Sequence, residues 1–242
     1  MWTVFVLLVV VCLVWKTRGR IPYFHQTLTL GSPQNKKLIV ILHGIYSGPF
    51  QAKRLMDSLY CNGYTVVALK YVYSLSDILA PLEEQVIRVS TQIAAYGALD
   101  ELILIGISFG GLVGLLSLPR IQCDHVRMVT IGSPLGPVPG RWWERWIASK
   151  ITRPVLFDEV STVTHKLPFR FVRKGLFISD VRDPIVPVES ADPLSIRMGH
   201  DNPALVAWNS FCINKGKHRI HDEPEVVNRI TTFCFGDSDK SV

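Results

Sequence analysis

The sequence predicts an α/β fold in which a mostly parallel central sheet carries helices on both faces. Three observations point there. Apolar, β-branched runs alternate with helix-length amphipathic segments along most of the chain, the pattern of repeated strand-helix-strand units. The run Glu101-Leu102-Ile103-Leu104-Ile105-Gly106-Ile107 leads straight into Ser108, and residues 109–118 then read as a small-residue-rich helix. A chain of 242 residues, 48% of them hydrophobic, can bury a sizeable core and suits one α/β domain better than two small ones.

Residues 2–15 are uncharged and almost wholly apolar, with a tryptophan at each end, and Lys16, Arg18 and Arg20 follow at once. As a helix the run would be about 21 Å long against a hydrocarbon core of about 30 Å, which is short for a span. The charge follows the apolar run and no small-residue cleavage site comes after it, so residues 1–20 read as a retained membrane anchor with a basic flank, not as a signal peptide. The positive-inside rule then places the rest of the chain on the cytoplasmic side. A signal peptide of unusual charge pattern, which would make the protein secreted, and a hydrophobic arm lying in the membrane interface are the alternatives.

Residues 24–30 alternate loosely and end in Gly31-Ser32-Pro33, and residues 37–42 form a buried-strand run closing on His43-Gly44, which together suggest a hairpin entering the sheet. Residues 49–60 read as helix, 64–71 as strand, 81–96 as a long amphipathic helix, 101–107 as strand and 126–131 as the next strand. After Gly132-Ser133-Pro134 the alternation is interrupted by residues rich in aromatic and basic side chains, and residues 137–172 are read as an inserted cap. Strands at 175–179 and around 211–214 and a helix at 224–233 complete a domain over residues 21–236. Asp222 is the expected cap of that last helix, and residues 237–242 form a polar tail.

Lys and Arg outnumber Asp and Glu by 26 to 20, a net charge of +6. This excess favours anionic surfaces; no nucleic-acid motif accompanies it, so a membrane is the expected partner and nucleic acid is not. The five cysteines, at 12, 61, 123, 212 and 234, form no Cys-x-x-Cys pair. They mark neither a disulfide framework nor a zinc site, and no cofactor or metal is expected.

The spacing Gly106-x-Ser108-x-Gly110 would arise by chance in about one chain of this size in twelve, so its weight rests on its setting between strand and helix. In that setting the serine stands on a sharp turn with its hydroxyl exposed above the sheet, a nucleophile's position. A serine hydroxyl needs a base to take its proton and a carboxylate to orient that base. Two aspartates follow the strand in Phe177-Ile178-Ser179-Asp180-Val181-Arg182-Asp183-Pro184, and Asp183 is preferred because it sits in the turn, stiffened by Pro184 and Pro187. Of the seven histidines, His200, His218 and His221 follow the acid. His200 precedes the last strand and His221 abuts the helix start, which leaves His218, in the loop after Gly216, as the preferred base. Two backbone donors would hold the oxyanion: the N–H of Phe109, and that of Ile45 in Leu42-His43-Gly44-Ile45-Tyr46, where Gly44 allows close approach and His43 reads as a structural hydrogen-bonder.

These segments together resemble the α/β-hydrolase superfamily, and within it the lipase and esterase branch that includes bacterial lipases and GPI inositol-deacylase-like enzymes. The resemblance runs from about residue 38 to residue 233. It rests on Ile41-Leu42-His43-Gly44 for the oxyanion loop, Gly106 to Gly110 for the nucleophile elbow, Asp183-Pro184-Ile185-Val186-Pro187 for the acid, and His218 followed by Pro224-Glu225-Val226-Val227 for the base. Gly132-Ser133-Pro134-Leu135-x is similar to a Gly-Ser/Thr-Pro-His-x-Gly segment of such lipases, with Leu135 in place of the histidine. Asp180 stands where glycine is commoner in related acid loops, which keeps both aspartates open.

The resemblance implies an α/β-hydrolase fold with a cap or lid over an acyl pocket. Trp142, Trp143, Trp146, Ile147 and Ile151 share one helical face while Arg141, Glu144 and Arg145 fall elsewhere, as an amphipathic cap would require. Tyr46, Trp142, Trp143 and Trp146 are the candidate substrate contacts. The activity implied is a serine hydrolase cleaving esters of apolar acyl groups through an acyl-enzyme on Ser108. A thioesterase or acyltransferase would share that intermediate, and a catalytically silent, membrane-bound interaction module is the alternative of another class.

Overall fold

The strands are β1 (Leu28–Leu30), β2 (Lys37–Leu42), β3 (Tyr64–Leu69), β4 (Glu101–Ile107), β5 (Val126–Ile131), β6 (Lys174–Asp180) and β7 (Trp208–Ile213). The helices are α1 (Lys53–Leu59), α2 (Leu82–Ala94), α3 (Phe109–Ser117), the single turn α4 (Val188–Ala191) and α5 (Pro224–Phe235). These come from a computed structural model that describes residues 26–44, 47–61, 63–71, 81–136, 167–195 and 203–236. The strands form one sheet in the order β1-β3-β2-β4-β5-β6-β7. Every neighbouring pair is parallel except β1 with β3.

The hairpin expected of residues 24–42 does not form. β1 pairs antiparallel with β3, Leu28 opposite Ala68 and Leu30 opposite Val66, so β3 lies between β1 and β2. The reason is burial: Leu38 to Leu42 are all buried, and a strand apolar on both faces belongs inside a parallel sheet, flanked here by β3 and β4. Three-residue β1, only half-buried, is left for the edge.

Strand alternation divides the core into two layers. Leu38, Val40 and Leu42 of β2 face Val86, Val89 and Ile93 of α2 and Leu112 and Val113 of α3. Ile39 and Ile41 face the other way, toward Leu55, Met56 and Leu59 of α1 and Val226, Ile230 and Phe233 of α5. At about 1.5–3 kcal/mol per fully buried apolar side chain, each layer is worth far more than any single loop contact, so the sheet is the fixed reference for everything mounted on it. α2 shows how the sequence secures its layer: Leu82, Val86, Val89 and Ile93 fall on one stripe, and Glu83 and Glu84 stand in the first turn, where the positive end of the helix dipole favours carboxylates.

One further expectation needs correction. Glu223, not Asp222, is the N-cap of α5, because Pro224 with its fixed φ takes the first helical position and leaves the cap to the residue before it. Of the expected cap insertion, residues 167–172 are described: Phe169 and Val172 are buried, Arg170 and Phe171 are exposed, and the Phe169 ring meets those of Phe177 and Trp208 edge-on at 6.1 and 5.4 Å. Residues 137–166, with Trp142, Trp143 and Trp146, lie outside the described residues, as do the expected anchor and the polar tail. Among the described residues no helix is long and apolar enough to cross a membrane.

Candidate active site

β4 is buried along its whole length and delivers Ser108 to the carboxyl edge of the sheet. Ser108 has φ 53° and ψ −126°, a conformation costly for a residue with a Cβ, and among the described residues no other non-glycine has a positive φ. Its neighbours make room for it. A Cβ at Gly106 would lie 2.2 Å from the Gly111 Cα, and one at Gly110 would lie 2.5 Å from the Leu42 carbonyl oxygen. The Ser108 N–H donates to the Ile131 carbonyl at 2.7 Å, tying the turn to the end of β5.

The structure brings Ser108, His218 and Asp183 together. Ser108 Oγ lies 2.8 Å from His218 Nε2, and His218 Nδ1 lies 2.8 Å from Asp183 Oδ2. One tautomer satisfies both contacts: Nδ1–H donates to the carboxylate, and the Nε2 lone pair accepts the serine hydroxyl. The Asp183 side chain is 1% exposed, and its Oδ1 accepts the N–H groups of Ile185 at 2.7 Å and Val186 at 3.0 Å. The imidazole is 15% exposed, open enough to be met from outside.

The other candidates stand apart. Asp180 is buried at the end of β6, where its carboxylate meets backbone N–H groups and not the imidazole. His221 is buried before α5 with Nε2 3.6 Å from Asp222 Oδ2, and burial pushes its pKa down. His200 lies outside the described residues.

For the oxyanion, Phe109 is the first residue of α3, so its N–H has no acceptor within the helix. Ile45 and Tyr46 lie outside the described residues, but the turn leading to them is firmly held. The Gly44 carbonyl accepts His43 Nδ1–H at 2.8 Å, the Ser47 N–H at 3.1 Å and the Ser47 hydroxyl at 2.9 Å. Burial above all, aided by the charge of Lys70 and only partly offset by the Gly44 bond, lowers the His43 pKa to about 4. A ring that stays neutral at pH 7 fits the structural role expected of it.

Tyr71 is a residue that sequence reasoning missed. Fully buried, it stacks on the His43 ring at 4.6 Å and donates its hydroxyl to the His43 carbonyl at 2.5 Å. The available signal was a tyrosine closing an apolar strand run, since a buried phenol needs an acceptor. Gly132 was seen only as part of a motif. It has φ 54°, and a Cβ there would stand 3.4 Å from Asp183 Oδ2 and 3.5 Å from the His218 ring.

Among the described residues no group of His, Cys, Asp or Glu side chains could hold a metal ion. A cleft of about 690 Å³, lined by Lys37, Glu101, His125, Arg127 and Arg173 among others, opens at the amino ends of the strands. It is on the far side of the sheet from Ser108 and plays no part in this constellation.

A seven-stranded, mostly parallel sheet with a strained serine at the end of a central strand defines the α/β-hydrolase fold, and known structures agree. A monoacylglycerol lipase from Paleococcus ferrophilus superimposes with a TM-score of 0.60 at 17% identity, over 85% of this chain and 95% of that one. An esterase from Exiguobacterium antarcticum gives 0.59 at 14% identity, over 86% and 94%. A lipase-esterase related protein from Clostridium acetobutylicum gives 0.62 at 12% identity, over 87% and 99%. No family model and no curated protein matches the chain. The chain therefore has the α/β-hydrolase fold, shared with lipases and esterases.

Proposed function

We propose that the protein is a serine hydrolase that cleaves carboxylic esters of apolar acyl groups. The observation that carries this reading is the continuous relay from Ser108 Oγ through His218 to Asp183, with both contacts at 2.8 Å. In the reading, Ser108 Oγ attacks the ester carbonyl carbon while His218 Nε2 takes its proton, and Asp183 holds the resulting imidazolium without itself becoming protonated. The Phe109 and Ile45 N–H groups donate hydrogen bonds to the carbonyl oxygen as negative charge develops on it. Collapse breaks the bond to the alcohol oxygen, which leaves with the proton from Nε2. Water, deprotonated by the same nitrogen, then releases the acid and restores Ser108. Lipases and esterases of the same fold support ester substrates. Tyr46, Trp142, Trp143 and Trp146 are proposed to line the acyl site.

We further propose that residues 2–15 anchor the enzyme with its catalytic domain on the cytoplasmic face, on the strength of the apolar run and its basic flank. The decisive test of activity is labelling by a fluorophosphonate probe together with p-nitrophenyl butyrate turnover. Wild-type protein is expected to label and turn over, and Ser108→Ala to do neither while melting like the wild type. Undiminished turnover by folded Ser108→Ala, or a wild-type protein inert in both assays, would overturn the proposal.

A further inference from the structure

Asp180 does something that neither the nucleophile, the base nor the orienting acid does. Its carboxylate is completely buried at the last position of β6, yet it meets no cationic side chain within hydrogen-bond distance among the described residues. Its acceptors are spent on the backbone of two different loops. Oδ1 accepts the Arg182 N–H at 2.9 Å, inside the turn that presents Asp183, and the Asp183 N–H itself donates to the Asp180 carbonyl at 3.1 Å. Oδ2 accepts the N–H groups of Lys215 at 3.0 Å and Lys217 at 3.1 Å, inside the loop that presents His218. Between those two donors Gly216 takes φ 68°, which lets the N–H groups on either side of it converge on one oxygen. Burial by itself would raise the Asp180 pKa, but the backbone donors of Arg182, Lys217, Gly216 and Lys215 outweigh it and hold the pKa below the ordinary carboxylate value. The group therefore stays ionised at neutral pH, and an ion accepts such bonds about twice as strongly as a neutral carbonyl does.

We infer that Asp180 is a positioning residue, a single buried carboxylate that clamps the Asp183 loop to the His218 loop and so sets the distance between acid and base. The inference rests on the proposed hydrolase activity. Without the clamp, the Asp183 turn keeps the bonds from Ile185 and Val186, but the loop carrying His218 loses the two N–H contacts immediately before the histidine. The imidazole then wanders relative to Ser108, and misplacement on the scale of 1 Å costs about 100-fold in rate. The serine and the binding surface are untouched, so the loss falls on kcat and not on KM. A glycine at this position would offer no side-chain acceptor to either loop, which is the physical content of finding aspartate here.

The experiment is a double-mutant cycle of Asp180→Asn with Asp183→Asn, read by kcat and KM for p-nitrophenyl butyrate, with fluorophosphonate labelling of the wild type as control. Asn keeps the shape and one acceptor oxygen but places an NH2 against at least one backbone donor. Asp180→Asn is expected to lower kcat about 10- to 100-fold with KM within about twofold. In the Asp183→Asn background, where the imidazole already holds the unproductive tautomer and its exact placement no longer limits turnover, it should cost less than about threefold, because residues acting through one contact are non-additive. A purely structural role would lower the folded fraction by the same factor in both backgrounds, and equal factors would overturn the inference. So would an unchanged kcat. A wild type that neither labels nor turns over would instead overturn the proposed activity, so the two failures are distinguishable. If Asp180→Asn does not fold, Lys217→Pro deletes one of the two loop N–H donors and leaves Asp180 intact; a kcat unchanged in that folded variant overturns the clamp.

Discussion

Asp183→Asn is the substitution whose consequence the geometry fixes most tightly. The native carboxylate accepts three hydrogen bonds, two at Oδ1 from Ile185 and Val186 and one at Oδ2 from His218 Nδ1–H. An amide has one oxygen and one NH2. Turning the NH2 toward Ile185 and Val186 would set donors against two buried donors, whereas turning it toward His218 conflicts with only one, and each buried unsatisfied donor costs about 1–3 kcal/mol. The oxygen therefore stays with the two backbone groups and the NH2 faces Nδ1. The imidazole relieves the conflict by moving its proton to Nε2, where it points at Ser108 Oγ. The serine hydroxyl then has no acceptor. Loss of the working tautomer in a Ser-His-Asp relay costs about 10⁴ in kcat, equivalent to about 5.5 kcal/mol of transition-state stabilisation. Turnover of p-nitrophenyl butyrate and fluorophosphonate labelling read that loss, while thermal unfolding should change little, since shape and the two backbone bonds are kept. A folded variant with kcat within tenfold of the wild type would refute the tautomer reasoning and the assignment of Asp183.

Tyr71→Phe removes the donor to the buried His43 carbonyl and should lower stability by about 1–3 kcal/mol, which at about 2–4 °C per kcal/mol for a domain of this size is measurable by calorimetry. Because that carbonyl begins the oxyanion turn, labelling of Ser108 should also slow; an unchanged melt and rate would mean the bond contributes nothing. For the N-terminus, full-length protein should stay in the membrane fraction through high salt and alkaline carbonate, and deletion of residues 1–20 should release it, because hydrophobic insertion is not screened by ions. Extraction of the full chain by salt alone would reject the anchor.

The parts of this fold that could be read from the sequence are those in which one pattern decides. β4 falls on the expected residues because the unbroken apolar run from Leu102 to Ile107, bounded by Glu101 and Ser108, leaves no choice of ends. The hairpin failed because pairing partners are chosen by burial across the whole sheet, and nothing within residues 24–42 reports that β3 will intervene. The meeting of Asp183 with His218 could be anticipated from loop position, since acid and base must both lie beyond strand ends. The contact of Asp180 with Lys215 and Lys217 could not, because it joins a side chain to backbone groups 35 and 37 residues away, and backbone donors leave no mark in a sequence. Tyr71 escaped for the same reason: its acceptor is a carbonyl 28 residues earlier.

Strand order explains why the loops need such ties. Ser108, the Gly132 turn, the Asp183 loop and the His218 loop follow four neighbouring strands, β4, β5, β6 and β7. At about 4.8 Å per strand, the end of β6 stands roughly 10 Å from that of β4, and the end of β7 roughly 14 Å away. One imidazole touching both a serine and a carboxylate at 2.8 Å cannot stand above its own strand. Both loops must lean back across the sheet, and they converge over the end of β5. The residue there is Gly132, and a Cβ on it would press against both Asp183 and His218. Buried Val186 and Ile220 root the two loops in the core, but the lean itself passes over open backbone. Hydrogen bonds reinforce it: the Asp180 carboxylate at the end of β6 ties the backbone of both loops, and Asp183 Oδ1 accepts from Ile185 and Val186 inside its own turn.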